Sequence, residues 1–207
     1  MKLRLRVCLA AAIAAATLLI CAQARASVIM TLEQVGPSVV ATGSGTLDIA
    51  DLSYFGSSNA APFIFPADAV LLEGSSSAGY NIYSGLTGPS NFGGGPHTAA
   101  SSGTGDAMAI DGAFNIVVVP VGYVSGALVS SSATWDNTTL ATLAVVSEVY
   151  TWTWGSGADA DSLTLYAGVA APATAPEPGS LLLVVAGTGA LVMDYLKRRV
   201  GRFRLPS

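Results

Sequence analysis

Short runs in which apolar and polar residues alternate follow one another through the middle of this chain of 207 residues. Gly, Pro, Asn and Ser interrupt these runs, and poor helix formers are common throughout. A period of two is typical of β-strands that bury one face, whereas amphipathic helices need a period near 3.6. The pattern predicts strands at residues 27–33, 39–49, 68–72, 80–83, 107–110, 114–119, 123–134, 148–154 and 162–169. Short strands without a convincing helix predict an all-β fold, either a sandwich or a jelly roll.

Other stretches of this β-rich region are turns or loops. Asp111-Gly112 and Gly155-Ser156-Gly157 are turn sequences that each lie between two predicted strands. Residues 84–105 contain a run of glycines and little apolar material, and we expect them to form a mobile surface loop rather than a binding loop. Residues 138–144 fit one helical turn or a strand equally well.

The chain begins with the three parts of a secretory signal peptide. A basic start, an apolar stretch at residues 7–22 and the small-residue sequence Ala24-Arg25-Ala26 follow one another. We therefore expect residues 1–26 to be removed by cleavage between Ala26 and Ser27. Both cysteines lie in this segment, so the exported chain has no disulfide, catalytic thiol or thiolate metal ligand.

Charge is distributed very unevenly along the chain. The nine basic residues lie only near the two ends: Lys2, Arg4, Arg6, Arg25, Lys197, Arg198, Arg199, Arg202 and Arg204. Residues 27–175 contain no Lys or Arg, and they carry eleven of the thirteen acids: Glu33, Asp48, Asp51, Asp68, Glu73, Asp106, Asp111, Asp136, Glu148, Asp159 and Asp161. Such a domain offers no cationic surface to nucleic acid, and it repels acidic sugars unless a divalent cation bridges them.

The C-terminus has three parts in a fixed order. Pro176-Glu177-Pro178 is expected to be extended, because proline fixes φ and restricts the residue before it. An uncharged run then starts at Leu181, within a predicted helix at about residues 179–196, which is at the short end of a bilayer span. The basic cluster Lys197, Arg198 and Arg199 holds the following tail on the cytoplasmic side. An ordinary membrane anchor behind a Pro-rich linker would have the same parts.

This arrangement resembles the PEP-CTERM sorting signal of Gram-negative bacteria, through Pro176, Glu177 and Pro178, the apolar run and the basic cluster. The resemblance implies an exosortase, a membrane-embedded enzyme that cuts off the tail, and an association with exopolysaccharide and biofilm. Asp194 departs from the usually uncharged helix, although it can pair with a basic residue one turn later.

Residues that could carry catalysis or bind metal are few. His97 is the single histidine and lies in the Gly-rich loop, and no Gly-x-Ser-x-Gly sequence accompanies it, so we predict no catalytic triad. Calcium needs only oxygen ligands, and Asp159 and Asp161 beside a Gly-rich turn are candidates, with solvated turn carboxylates as the alternative. The glutamates are scattered along the chain and do not indicate the paired carboxylates of a glycosidase.

One aromatic row has two interpretations. Tyr150, Trp152 and Trp154 recur on one face of the strand predicted at residues 148–154. A row exposed to solvent would suit stacking on sugars, whereas a buried row is sheet core, which the strong alternation favours.

The sequence therefore predicts three regions: a signal peptide at 1–26, an exported β-rich domain at 27–172 and a PEP-CTERM sorting signal at 173–207 with its basic tail at 197–207. We expect a non-enzymatic protein without a cofactor. Its C-terminal helix would anchor the precursor transiently in the inner membrane, and exosortase would then deliver it to the cell surface or the extracellular matrix. The expected role is structural or adhesive, with exopolysaccharide or another envelope component as acceptor. A carbohydrate-binding module and a secreted glycosidase or lyase are the alternatives.

Overall fold

The computed structural model describes residues 27–172, and this part of the chain is all-β, as predicted. Its strands are β1 (Ser27–Val35), β2 (Ser38–Thr46), β3 (Ser53–Asn59), β4 (Phe63–Phe65), β5 (Val70–Glu73), β6 (Gly79–Ser84), β7 (Thr98–Ala99), β8 (Ser102–Gly105), β9 (Met108–Asp111), β10 (Ile116–Pro120), β11 (Leu128–Trp135), β12 (Glu148–Trp154) and β13 (Asp161–Ala167). Two short 3-10 turns, Pro66–Asp68 and Gly157–Asp159, are the helical elements of this part. No helix within residues 27–172 has the length and apolar character to span a bilayer.

The strands form two sheets. The first sheet, sheet A, has the order β12-β13-β1-β2-β11-β8, and the second, sheet B, has the order β3-β6-β10-β9-β5-β4-β7. Neighbouring strands are antiparallel with one exception, because the first and last strands, β1 and β13, are parallel neighbours in sheet A. Their register aligns Ser27 with Ser162 and Leu32 with Ala167.

The two sheets share one hydrophobic core, so the domain is sandwich-like. Alternate residues of β1 and β13 point into this core, which explains why their period-two pattern was so clear in the sequence. The largest fully buried side chains include Trp135, Trp152 and Phe92. The middle strands of sheet B are different, because β10 buries Val117, Val118 and Val119 in succession. Both faces of these strands are therefore apolar, and their sequence is a continuous apolar run.

The prediction of a long surface loop at residues 84–105 is wrong. This segment contains β7 and β8, and it inserts Leu86 and Phe92 into the core. Its backbone is also paired, since Thr87 exchanges two hydrogen bonds of 2.9 Å with Thr153 of β12. The two apolar side chains and the paired backbone hold the segment against both sheets, although its composition is that of a loop.

Residues 138–144, which the sequence left undecided, contain a run of turns at residues 140–144. The N–H of Leu143 donates to the carbonyl of Thr139 at 3.0 Å, as in one turn of helix. The hydroxyl of Thr139 also accepts the N–H of Thr142 at 3.0 Å, which is a typical capping bond at the start of such a turn.

Candidate functional site

The aromatic row of β12 belongs to the core. Tyr150 is 9% exposed, Trp152 is 0% exposed and Trp154 is 5% exposed. The polar atoms of these rings are satisfied internally: the Trp152 indole N–H donates to the Pro89 carbonyl at 2.8 Å, and the Tyr150 hydroxyl donates to the Val146 carbonyl at 3.1 Å. The accessible row that a carbohydrate-binding module would need is therefore not formed by these three residues.

A different group of aromatic residues is exposed at the edge of sheet B. Tyr54 and Phe55 of β3 are 60% and 71% exposed, and the ring of Tyr54 lies edge-on to Tyr83 of β6, with 5.7 Å between centroids. A bulge between Tyr54 and Gly56 interrupts the pairing of β3 with β6 at Phe55. Such an irregularity changes the direction of the side chain that it carries, and it is common beside binding sites.

Polar side chains adjoin these rings. The hydroxyl oxygens of Tyr54 and Ser57 are 2.8 Å apart, and the Ser57 hydroxyl donates to the Asn81 side-chain oxygen at 2.7 Å. We call Tyr54, Phe55, Ser57, Asn81 and Tyr83 the β3–β6 patch. Exposed rings beside hydroxyl and amide groups can stack on the apolar face of a sugar while they hydrogen-bond its hydroxyls. The only sequence signal for the patch was the adjacent Tyr-Phe pair within a Ser- and Gly-rich stretch.

The two candidate calcium ligands lie in different environments. Asp161 is buried, and its carboxylate accepts the backbone N–H of Asp48 and of Ser162, each at 2.6 Å, whereas Asp159 is exposed in a 3-10 turn. Burial raises the pKa of Asp161, and the nearby charge of Asp48 adds to the rise, while the two backbone hydrogen bonds oppose it. Asp161 is therefore not a solvated turn carboxylate. In the part of the chain that the structure describes, no three His, Cys, Asp or Glu side chains are placed to hold a metal ion.

The glutamates do not share an environment either. Glu73 of β5 lies in the core, where its Oε2 accepts a hydrogen bond of 2.8 Å from the hydroxyl of Ser131 in β11, and this bond joins the two sheets. Its Oε1 is buried without a hydrogen-bond partner among residues 27–172. Burial raises the pKa of Glu73 to about 8, and the bond from Ser131 opposes the rise. Glu33 and Glu148 are instead exposed on sheet A.

Space for this carboxyl group comes from Gly43 on β2. A Cβ atom at Gly43 would lie 2.9 Å from Glu73 Oε2 and 3.1 Å from the Ser131 hydroxyl oxygen. A larger residue would therefore crowd the bond between the sheets. Nothing in the sequence distinguished Glu73 from the other acids, because the pairing of residues in distant strands creates its environment.

The remaining predicted site residues are only partly described. His97 is exposed and stacks on Phe63, with 4.4 Å between ring centroids, as expected for a loop histidine. Ser27 is the first residue of β1. The other predicted features lie outside the described residues: Ala26, the sorting motif Pro176, Glu177 and Pro178, the predicted helix at 179–196, and the basic cluster Lys197, Arg198 and Arg199. Comparison with protein-family models, curated proteins and solved structures finds no match to this chain.

Proposed function

We propose that this protein is an exported, non-enzymatic component of the bacterial envelope or extracellular matrix, and that an exosortase processes its C-terminus. The observation that carries the proposal is the order Pro176-Glu177-Pro178, apolar run and basic cluster at the end of the chain, which resembles a PEP-CTERM signal. The three parts of a signal peptide, which end in Ala24-Arg25-Ala26 before Ser27, support an exported domain bounded by two processing signals.

The properties of the β domain fit a structural or adhesive role. Between Ser27 and Pro172 the chain has no Lys, Arg or Cys, so it can form neither a cationic binding site nor a disulfide. The shared core of the two sheets stabilises the fold, and residues 84–105 insert Leu86 and Phe92 into that core. A rigid, acidic module delivered to the cell surface, with exopolysaccharide or another envelope component as acceptor, is the function that we propose.

Changing Glu177→Ala tests the sorting signal. Glu177 is the only charged residue between Asp161 and Asp194, so we expect it to be the recognition handle for the processing enzyme. The variant should stay in the inner membrane at full length, whereas the wild type should reach the medium without its basic tail. Asp194→Ala is the matched control, because it removes one acid near the C-terminal end of the predicted helix and should leave cleavage intact.

Immunoblots of membrane and secreted fractions, with and without the exosortase, provide the measurement. If the wild type keeps its basic tail and stays in the membrane wherever the enzyme is present, the C-terminus is an ordinary anchor. Equal processing of the Glu177→Ala variant would remove Glu177 from the recognition motif.

A second candidate function is binding of a neutral glycan at the β3–β6 patch. The exposure of Tyr54 and Phe55 supports it, together with the hydroxyl and amide groups beside them. The lack of Lys and Arg in the domain selects neutral over acidic sugars, because an anionic chain would meet only like charges.

Affinity electrophoresis in gels that contain a neutral glucan or an acidic polysaccharide tests this candidate. Tyr54→Ala and Phe55→Ala should each weaken retardation by the neutral polymer by about five- to tenfold, which corresponds to about 1 kcal/mol for a lost ring contact. Phe114→Ala is the matched control, because Phe114 is also 71% exposed but lies in the turn between β9 and β10. Equal weakening by all three variants, or no retardation of the wild type, would contradict a site at this patch.

A further inference from the structure

The register of sheet A brings the start of β1 to a pair of aspartates. Ser27 is aligned with Ser162 of β13 on one side and with Thr46 of β2 on the other. Asp161 directly precedes Ser162, and Asp48 follows Thr46 by two residues. The Asp161 Oδ2 accepts the N–H of Asp48 at 2.6 Å, so this carboxylate bridges the two strands that flank β1. Because β1 lies between β13 and β2, this bond places the Asp161 carboxylate across the end of β1 at which Ser27 lies.

The aspartate pair has hydrogen-bond donors but no cation among the described residues. The Asp48 Oδ1 accepts the N–H of Ala50 at 2.9 Å and the Ser125 hydroxyl at 3.1 Å. From the segment between β10 and β11, the hydroxyl of Tyr123 accepts the N–H of Leu47 at 2.8 Å. Residues 27–172 contain no Lys or Arg, and His97 stacks on Phe63 of β4 in the other sheet.

We propose that signal-peptide cleavage supplies the missing cation: the α-ammonium group released on Ser27 becomes the counter-ion of Asp161 and Asp48. This inference rests on the proposed cleavage after Ala26. Hydrolysis of the Ala26–Ser27 bond consumes one water molecule and leaves a carboxylate on Ala26 and an ammonium group on Ser27. The cleavage also removes Arg25, and residues 27–172 contain no Lys or Arg, so the new amino terminus supplies this part of the chain with a positive charge.

The ion pair has a defined pH window. It requires an ionised carboxylate on Asp161, whose pKa is raised by burial, and a protonated amine, so it is lost when the pH falls below the pKa of Asp161 or rises above that of the amine. A nearby negative charge favours the protonated amine, so the pKa of the Ser27 amino group should exceed its usual value of about 8. The mature domain is therefore stabilised by its own maturation, and a blocked amino terminus lacks this stabilisation.

Selective acetylation of the purified, secreted protein tests the inference. At pH 6.5 the free-amine form should melt about 3 °C or more above the acetylated form, and the difference should disappear near pH 10, where the amine is neutral. Asp161→Asn should greatly reduce the difference at pH 6.5. Glu33→Gln is the matched control, because Glu33 is exposed near the other end of β1 and its loss should leave the difference unchanged.

Two further measurements separate the ways in which the inference can fail. If Asp161→Asn does not fold, two other measurements decide instead. The first is the melting of Asp48→Asn in its free-amine and acetylated forms. The second is the pH dependence of the acetylation rate of the wild type, which gives the pKa of the Ser27 amine. Equal melting of both forms at pH 6.5, or an amine pKa at or below about 8, overturns the ion pair while cleavage at Ser27 stands. Amino-terminal sequencing that finds another first residue overturns the proposed cleavage and this inference together.

Discussion

The buried carboxyl group of Glu73 makes the stability of the domain depend on pH in a predictable direction. Burial raises its pKa to about 8 in the folded protein from an ordinary value of 4.5, so the folded state keeps a proton that the unfolded state loses. The stabilisation is complete below pH 4.5 and is lost as pH rises toward 8, at about 1.4 kcal/mol per pH unit. The loss is about 3 kcal/mol at pH 7 and about 5 kcal/mol above pH 8.

Glu73→Gln removes this titration and preserves the shape of the side chain. The Ser131 hydroxyl can donate to the amide oxygen of glutamine as it does to Glu73 Oε2. The second polar group of the side chain stays buried without a partner in both proteins at low pH, so its cost largely cancels in the comparison. We expect equal stability near pH 4 and an advantage of about 3 kcal/mol for the variant at pH 7.

Urea unfolding of the secreted protein between pH 4 and pH 9 measures this difference, with tryptophan fluorescence as the signal. All three tryptophans are buried, so their emission reports the loss of the core. Glu33→Gln serves as the control, since an exposed carboxylate should change the pH profile little. If the wild type and Glu73→Gln lose stability in parallel between pH 4.5 and pH 8, Glu73 is ionised in the folded protein and the reasoning is refuted.

Three other predictions concern processing, packing and charge. Amino-terminal sequencing of the exported protein should begin at Ser27, and a retained signal peptide would contradict this. Trp152→Ala should lower the free energy of unfolding by about 3–5 kcal/mol in chemical denaturation, because it empties a core position. Val149→Ala, on the exposed face of the same strand, should lower it by less than about 1 kcal/mol. Equal losses for the two variants would contradict the assigned faces. Modest salt should raise the melting temperature at pH 7, because the acids other than the buried Glu73 repel one another and the domain has no Lys or Arg to offset them. A flat or falling profile would show that hydrogen bonds to the carboxylates dominate.

Strands with one buried face were predictable from the sequence, and strands without one were not. β1, β12 and β13 alternate strictly because one face of each lies on the core, and all three were predicted. β3 was missed because nearly all of its residues are exposed, and β8, with the sequence Ser-Gly-Thr-Gly, has no apolar residue to reveal it. β4 and β7 have three and two residues, which is too short for a period to be recognised.

The local surroundings of functional side chains were less predictable, because they depend on pairing between distant strands. The alternation around Trp152 favoured a core position, and the structure agrees. The environment of Glu73 depends on Ser131, which is 58 residues away, and that of Asp161 depends on Asp48, which is 113 residues away. The β3–β6 patch likewise forms only when β6 supplies Tyr83 and Asn81 to β3, a strand whose only sequence signal was the Tyr54-Phe55 pair. Composition cannot reveal such partners, since they follow from sheet order and register.

The parallel pairing of β1 with β13 determines how the domain responds to mechanical force. Ser27 and Ala167 lie at opposite ends of this strand pair, so tension between the two chain ends pulls β1 and β13 past each other along their length. The backbone hydrogen bonds along the six aligned residue pairs, Ser27–Ser162 to Leu32–Ala167, then carry the load together. In an antiparallel terminal pair the same tension would open the bonds one after another from one end. Tension applied at both ends of the domain is thus carried in shear by this strand pair.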